Sequence, residues 1–203
     1  MKNLDKIIEY ILILTWVGLS CSILKAEVVI TEIFIKQADG THTPQYVELY
    51  NNSDSPIDLE NWSIKTLDDV GEVIPYYPVF NSSGNANCQI NKTEIDAFGY
   101  FLISSRSCNY DSFGCEFYNN KLSDIIADFL ILPFDDSYWN YIDKGSIVLT
   151  TDNNVEEDRI DYDILSWPVG ENSRGRSLRL HSPELDNSLP ENWSLSPETE
   201  KSI

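Results

Sequence analysis

From residue 27 onward the chain is a run of short apolar segments at strand spacing, separated by turn residues. Val28-Val-Ile-Thr-Glu-Ile-Phe-Ile35 is β-branched and mostly apolar. Gln45-Tyr-Val-Glu-Leu-Tyr50 alternates, which puts Val47 and Leu49 on one face and Tyr46, Glu48 and Tyr50 on the other. Ile57–Ile64, Phe98–Ile103, Ser146–Thr150, Arg159–Ile164 and Ser177–Leu180 continue the series. Asn51-Asn-Ser-Asp-Ser-Pro56 and a Gly/Asn/Ser-rich stretch near 81–92 supply turn chemistry between them. Such a pattern predicts an all-β chain folded as an antiparallel sandwich or barrel. Residues 121–132 fit a helix or a strand, and so short an apolar run does not decide. Trp62, between Leu59 and Ile64 at strand spacing, is expected to plug the core. Glu48 is expected on a solvated or hydrogen-bonded face.

The N-terminus reads differently. Lys2 and Lys6 precede Tyr10–Leu19, an apolar run of ten residues. That is short for a membrane span and fits the core of a secretory signal, although Asp5 and Glu9 dilute the leading positive charge. Two cleavage sites compete. One follows Leu24-Lys25-Ala26, which makes residues 1–26 a signal peptide. The other precedes Cys21 in Val17-Gly-Leu-Ser-Cys21, which is similar to a bacterial lipoprotein box and would make residues 1–20 the signal and Cys21 the lipidated residue. Either way the expected location is secreted or in the cell envelope, periplasmic or on the outer surface. A membrane enters only through the lipid anchor.

The chain has 203 residues, the length of one domain, and 42% hydrophobic residues, enough for a packed core. Its 33 acids against 14 bases give a net charge of −19, which repels phosphate and excludes a general nucleic-acid binder. Loss of residues 1–26 would remove three lysines and two acids, leaving 11 bases, 31 acids and −20. Two histidines, His42 and His181, exclude a His-rich zinc site, and a catalytic triad would need one of them.

Thr31-Glu32-Ile33, Tyr46-Val-Glu-Leu-Tyr-Asn51 and Ile57-Asp-Leu-Glu-Asn-Trp-Ser-Ile64 together resemble the opening of the lamin-tail domain. Gly99-Tyr-Phe-Leu102 resembles a later strand of that family, and Ser177-Leu-Arg179 with Asn192-Trp193 resembles its closing signature. The resemblance covers most of 27–196, with 197–203 as a tail. It implies an immunoglobulin-like antiparallel β-sandwich, here preceded by a signal helix. It also implies the usual bacterial role, a secreted or envelope-attached module that binds or scaffolds without catalysis. Two departures stand out: the family's Thr-Pro-Gly ending is replaced by Ser196-Pro-Glu198, and extra segments fall near 67–97 and 104–120.

Candidate chemistry is sparse. Asp152, Glu156, Glu157 and Asp158 could supply oxygen ligands to calcium, but no Asp-x-Asp-x-Asp-Gly loop accompanies them, and a solvated hairpin turn is the favoured reading. Calcium is the one cofactor left open. Other acidic pairs, Asp58 with Glu60, Asp68-Asp69 and Asp135-Asp136, do not stand out from the remaining acids, so a carboxylate-dependent hydrolase has little support. Gly-x-Ser-x-Gly and the glycine-rich nucleotide loops are absent from the sequence. Tyr76, Tyr77, Phe80, Tyr138 and Trp139 are aromatic beside Pro and Asp, and could anchor a protein or a cell-surface glycan, although in a strand-rich chain such aromatics more often cap the core. Arg174, Arg176 and Arg179 are the basic cluster, expected to pair with the acid excess. Asn51, Asn61, Asn81, Asn91 and Asn192 each open an Asn-x-Ser/Thr triplet. Cys88, Cys108 and Cys115 survive in either mature form. Cys108 and Cys115 are the favoured disulfide, because Asn109, Asp111 and Gly114 can turn the span between them. The expected function is a non-catalytic binding or scaffolding module. The alternatives are a calcium-assisted adhesive module and, less well supported, a hydrolase.

Overall fold

The computed structural model describes residues 26–34, 46–72, 80, 92–104, 128–130, 144–163, 165–168 and 176–196. Among these, eleven strands follow in order. They are β1 (Val28–Phe34), β2 (Tyr46–Asn51), β3 (Ile57–Asp58), β4 (Ser63–Leu67), β5 (Glu94–Ile95), β6 (Tyr100–Ser104), β7 (Phe129–Leu130), β8 (Lys144–Thr150), β9 (Glu156–Asp163), β10 (Leu178–Leu180) and β11 (Trp193–Leu195). They form a six-stranded sheet in the order β11-β10-β1-β2-β6-β7, a three-stranded sheet β4-β8-β9 and a two-stranded ribbon β3-β5. The all-β architecture expected from the pattern is observed, and it is the immunoglobulin-like sandwich that the family resemblance implied. Every pairing is antiparallel except β6 with β7, which run parallel.

Alternation decides the layers. In β2, Val47, Leu49 and Asn51 are buried, while Tyr46, Glu48 and Tyr50 lie half-exposed on the outer face. Leu178, Leu180 and Trp193 continue the inner face from the far edge. Opposite them stand Ile64, Ile147, Leu149, Ile160 and Tyr162 of the three-stranded sheet. β8, the middle strand of that sheet, is buried from Gly145 to Thr150. One end of the core is closed by Trp167 and Trp193, whose rings lie 5.4 Å apart, and the Trp193 indole N–H donates to the Asn187 carbonyl. Among the described residues these two, and not Trp62, are the buried tryptophans; Trp62 packs only partly against the core.

The segment Ile57–Ile64, which alternation predicts as one strand, is two. Asn61 adopts φ 64° and the Trp62 N–H returns to the Leu59 carbonyl, so a turn separates β3 from β4. Phe98 has φ 53° and likewise belongs to a turn, not to the strand that follows. Next to it Gly99 is required: a Cβ there would stand 2.9 Å from the Asp96 carbonyl oxygen.

Buried Asn51 joins these turns. Its amide nitrogen donates to the carbonyls of Ser55, Ile95 and Asp96, and its oxygen accepts from the Ser53 N–H and hydroxyl. All the hydrogen-bonding capacity of an asparagine side chain is used in one place, which fixes the turn after β2 against β5.

Candidate functional site

Two register shifts place the polar side chains. In β1 the pairing with β2 steps from Ile30–Leu49 to Glu32–Glu48, so Thr31 and Glu32 both oppose Glu48. An extra residue of this kind re-aims side chains at the sheet surface. Here it lets the Thr31 hydroxyl donate to Glu48 Oε1 at 2.9 Å while Glu32 stays on the outer face. Cross-strand pairing then sets Ser194, Arg179, Glu32, Glu48 and Leu102 in one row across five strands.

Like charges directly opposite across a sheet repel, and the neighbours of this pair offset that cost. The Tyr46 hydroxyl and the Ser177 hydroxyl both donate to Glu32 Oε1, and the Arg179 guanidinium lies 4.0 Å from Glu32 Oε2. Glu48 is the less relieved of the two. Burial pushes its carboxyl above the ordinary value, the Thr31 hydroxyl draws it back, and the Glu32 charge raises it further. Burial, then Glu32, likewise raises the Tyr46 hydroxyl, which stays a donor.

Beside this row an open cavity of about 330 Å³ is lined by Thr31, Glu48, Tyr100, Arg179, His181 and Ser194, among others. Tyr100 is half exposed and held by Tyr50, with ring centroids 4.8 Å apart. The lining offers an acceptor, a cationic donor and an aromatic face within one depression. That set can orient a polar partner; it is not a nucleophile–base–orienter arrangement. A second open cavity, about 400 Å³, lies at one end of the three-stranded sheet among Asp68, Lys144, Arg159, Asp161 and Asp163. Its charges are largely spent on one another: Arg159 Nε is 2.6 Å from Asp161 and Lys144 Nζ is 3.7 Å from Asp163.

The four calcium candidates do not converge. Asp152 sits in the β8–β9 turn, where Asn154 takes φ 58°, and accepts from the Asn153 amide. Glu156 lies 3.6 Å from the Arg159 guanidinium. Glu157 is the extra residue of the second register shift, between Leu149–Asp158 and Thr150–Glu156. That shift turns Glu157 and Asp158 toward β1. Glu157 Oε1 accepts the backbone N–H groups of Glu27 and Val28, and Asp158 Oδ2 accepts those of Ile30 and the Asn187 amide. β10 pairs with β1 only at Glu32 and Ile33, so these carboxylates stand where a neighbouring strand would. Among the described residues no group of three or more His, Cys, Asp or Glu side chains is placed to hold a metal ion.

Phe80, named as a candidate binding aromatic, is instead a core residue, the other reading open to it. It is fully buried, packs edge-on against Phe101, and exchanges backbone hydrogen bonds with Asn61 and Trp62. The Pro and Tyr residues beside it gave no sign that its ring points inward. Ile95, in the same stretch, is also fully buried. The segment near 67–97 therefore contributes to the core at two points. Tyr76, Tyr77, Tyr138, Trp139, Cys21, Cys88, Cys108, Cys115, Asp135, Asp136 and Arg174 lie outside the described residues. Arg176 donates to the Ser196 carbonyl. Asn51, the first of the five Asn-x-Ser/Thr sites, is buried and so is closed to glycosylation in the folded protein.

No curated protein matches the chain. The family model of the lamin tail domain matches residues 23–163. The match takes in β1 through β9 and stops short of β10 and β11, which the fold adds to the same sheet. With most of its length matched and the immunoglobulin-like sandwich in place, the chain belongs to the lamin tail domain family.

Proposed function

We propose that this protein is an exported, non-catalytic binding or scaffolding module that meets its partner through the outer face of the six-stranded sheet. The partner is a protein or a cell-surface glycan. The observation that carries the reading is the cavity beside the Glu32–Glu48 row, where Arg179, Glu48 and half-exposed Tyr100 converge on a rigid sheet. Function on sandwich frames is usually added to the surface and leaves the core alone. Export follows from the charged start and apolar run before residue 27. A bridge between Cys108 and Cys115 belongs to the same reading, since an exported chain meets oxidising conditions. Crosslinking in intact cells followed by pull-down tests it, with wild type beside Tyr100→Ala and Arg179→Glu. Both side chains are exposed, so the core is unaffected. Loss of the crosslinked partner in both variants is the expected result. Capture equal to wild type in both would place the interaction elsewhere.

A further inference from the structure

We infer that the chain is processed between Ala26 and Glu27, and that Glu157 is the receptor for the α-ammonium this cleavage creates. The inference rests on the export reading and adds the processing position and the group that recognises the new terminus.

The geometry at residue 27 motivates it. The Glu27 nitrogen donates to Glu157 Oε1 at 2.7 Å, and its carbonyl accepts the Asn52 N–H at 2.7 Å. Glu27 is thus pinned on both sides, immediately before β1 begins at Val28. Glu157 Oε1 takes a second amide, that of Val28 at 3.1 Å. Neither amide neutralises the carboxylate. Asp158 lies next to it, and the Glu157 charge works against ionisation of Asp158. Among the described residues the Glu27 nitrogen contacts Glu157, with Asp158 next in sequence on β9, while the Asn52 N–H donates to the Glu27 carbonyl. Arg159 is engaged by Asp161 and Glu156.

Hydrolysis of the Ala26–Glu27 peptide bond adds one water. The carboxylate leaves with Ala26 and the nitrogen of Glu27 becomes –NH3+. One N–H of that ammonium keeps the bond to Glu157, and its charge neutralises a carboxylate that the amide only solvates. The fully buried core begins at Val28, so the processed chain keeps it and gives up Ala26, a partly buried side chain packed against its edge. The alternative cleavage before Cys21 would leave the Glu27 nitrogen an amide and Glu157 unneutralised.

The test compares the chain beginning at Glu27 with the same chain carrying a Gly-Ser extension, each with Glu157 or with E157Q. Urea unfolding is read at pH 6.5 and pH 9.5. The α-amine is charged below its ordinary pKa of about 7.7–8.0. Pairing raises that value in the fold, so the added stability is present at pH 6.5 and lost as pH passes the folded value. The free terminus should raise the folding equilibrium constant roughly two- to five-fold at pH 6.5, as expected of an exposed ion pair. That advantage should vanish at pH 9.5 and in E157Q. In NMR the α-amine should titrate above its ordinary range in the Glu157 protein and within it in E157Q, a readout independent of stability. Equal pH profiles for the free and extended chains, or an unshifted amine, would overturn the receptor role. Mass spectrometry of the protein recovered from cells reads the processing position: Glu27 as first residue supports it, and lipidated Cys21 overturns it. Met1 on the mature protein would overturn the export reading itself, while the docking measurement in vitro stands apart from that result.

Discussion

The backbone N–H of Ile30 donates to the Asp158 carboxylate at 2.6 Å, although the two residues are 128 positions apart. The same carboxylate oxygen accepts the Asn187 amide, which also reaches the Ile30 carbonyl. Asp158 and Asn187 together give Ile30 the donor and acceptor that a strand would supply. A buried main-chain polar group left without a partner is costly, so this substitute for pairing is a structural need of β1.

Asp158 should make stability depend on pH in an unusual sense. Burial is the largest influence on its carboxyl and raises it to about 6, against the hydrogen bonds from Ile30 and Asn187 that lower it. A carboxyl with a raised folded value binds its proton more tightly in the fold than in the unfolded chain. Its stabilising contribution is therefore full below about pH 4 and falls away as pH rises to about 6, by on the order of 3 kcal/mol. Asp158→Asn should flatten the stability profile between pH 4 and 6. Asp158→Ala, which leaves the Ile30 N–H unpaired, should cost about 1–3 kcal/mol below about pH 4, where Asp158 holds its proton, and less as pH rises and wild type loses that contribution. Urea unfolding from pH 3.5 to 7.5 checks both. A wild-type profile that rises through this window after correction with Asp158→Asn would contradict the assignment.

Replacing Asn51 should be among the most damaging single changes outside the apolar core. Asn51→Ala orphans three carbonyls and the Ser53 donors, and a loss of about 2–4 kcal/mol is expected. Asn51→Asp keeps the shape but turns two donors into an acceptor facing carbonyls, and should be no better. Thermal melting of the two variants beside wild type measures the effect. Melting within a degree or two of wild type would show that the hub is dispensable.

The stretch around Phe80 should be sensitive at its two anchors. Phe80→Ala removes a fully buried ring and should cost about 3–5 kcal/mol. Ile95→Ala empties the second fully buried site and should cost about 2–5 kcal/mol. A deletion running from 72 to 95 would take both anchors and should not fold. Circular dichroism melts of the three variants test this ordering.

Calcium should not stabilise the fold through the 152–158 cluster. Glu157 and Asp158 already accept main-chain donors and Glu156 faces Arg159, so ligation would have to break those contacts. Melting in millimolar calcium and in chelator should coincide. A rise with calcium that disappears in Asp152→Asn would mean that the turn rearranges around the ion.

Much of the layer structure was legible because alternation is a direct consequence of the pleat: Val47 and Leu49 in, Tyr46 and Glu48 out. The family resemblance pointed to the same strands. Three features were hidden for physical reasons. The turn at Asn61 depends on a left-handed residue inside an otherwise strand-like run. The burial of Phe80 depends on Phe101, which is remote in sequence. The two register shifts, at Thr31 and Glu157, change which face a side chain joins, and no periodicity in the sequence marks an extra residue. The outer-face cavity follows from the first of these and the capping of β1 from the second. That is why Arg179 could be read only as one of a basic cluster, and Glu157 only as one of many acids.

The long reach of the contacts made by β1 also sets an order of events during synthesis. β1 is the first strand to emerge and can pair early with β2, its neighbour in sequence. Its other edge must wait for residues 128 to 157 positions downstream: Asp158 for Ile30, Glu157 for Glu27, Ser177 for Glu32 and Asn187 for Ile30. Closing such non-local contacts is slow, because chain entropy is lost before the contacts form. A growing chain lacking β10 therefore leaves that edge of β1 without its final partners. Until then the main-chain groups of that edge stay open to pairing with another chain.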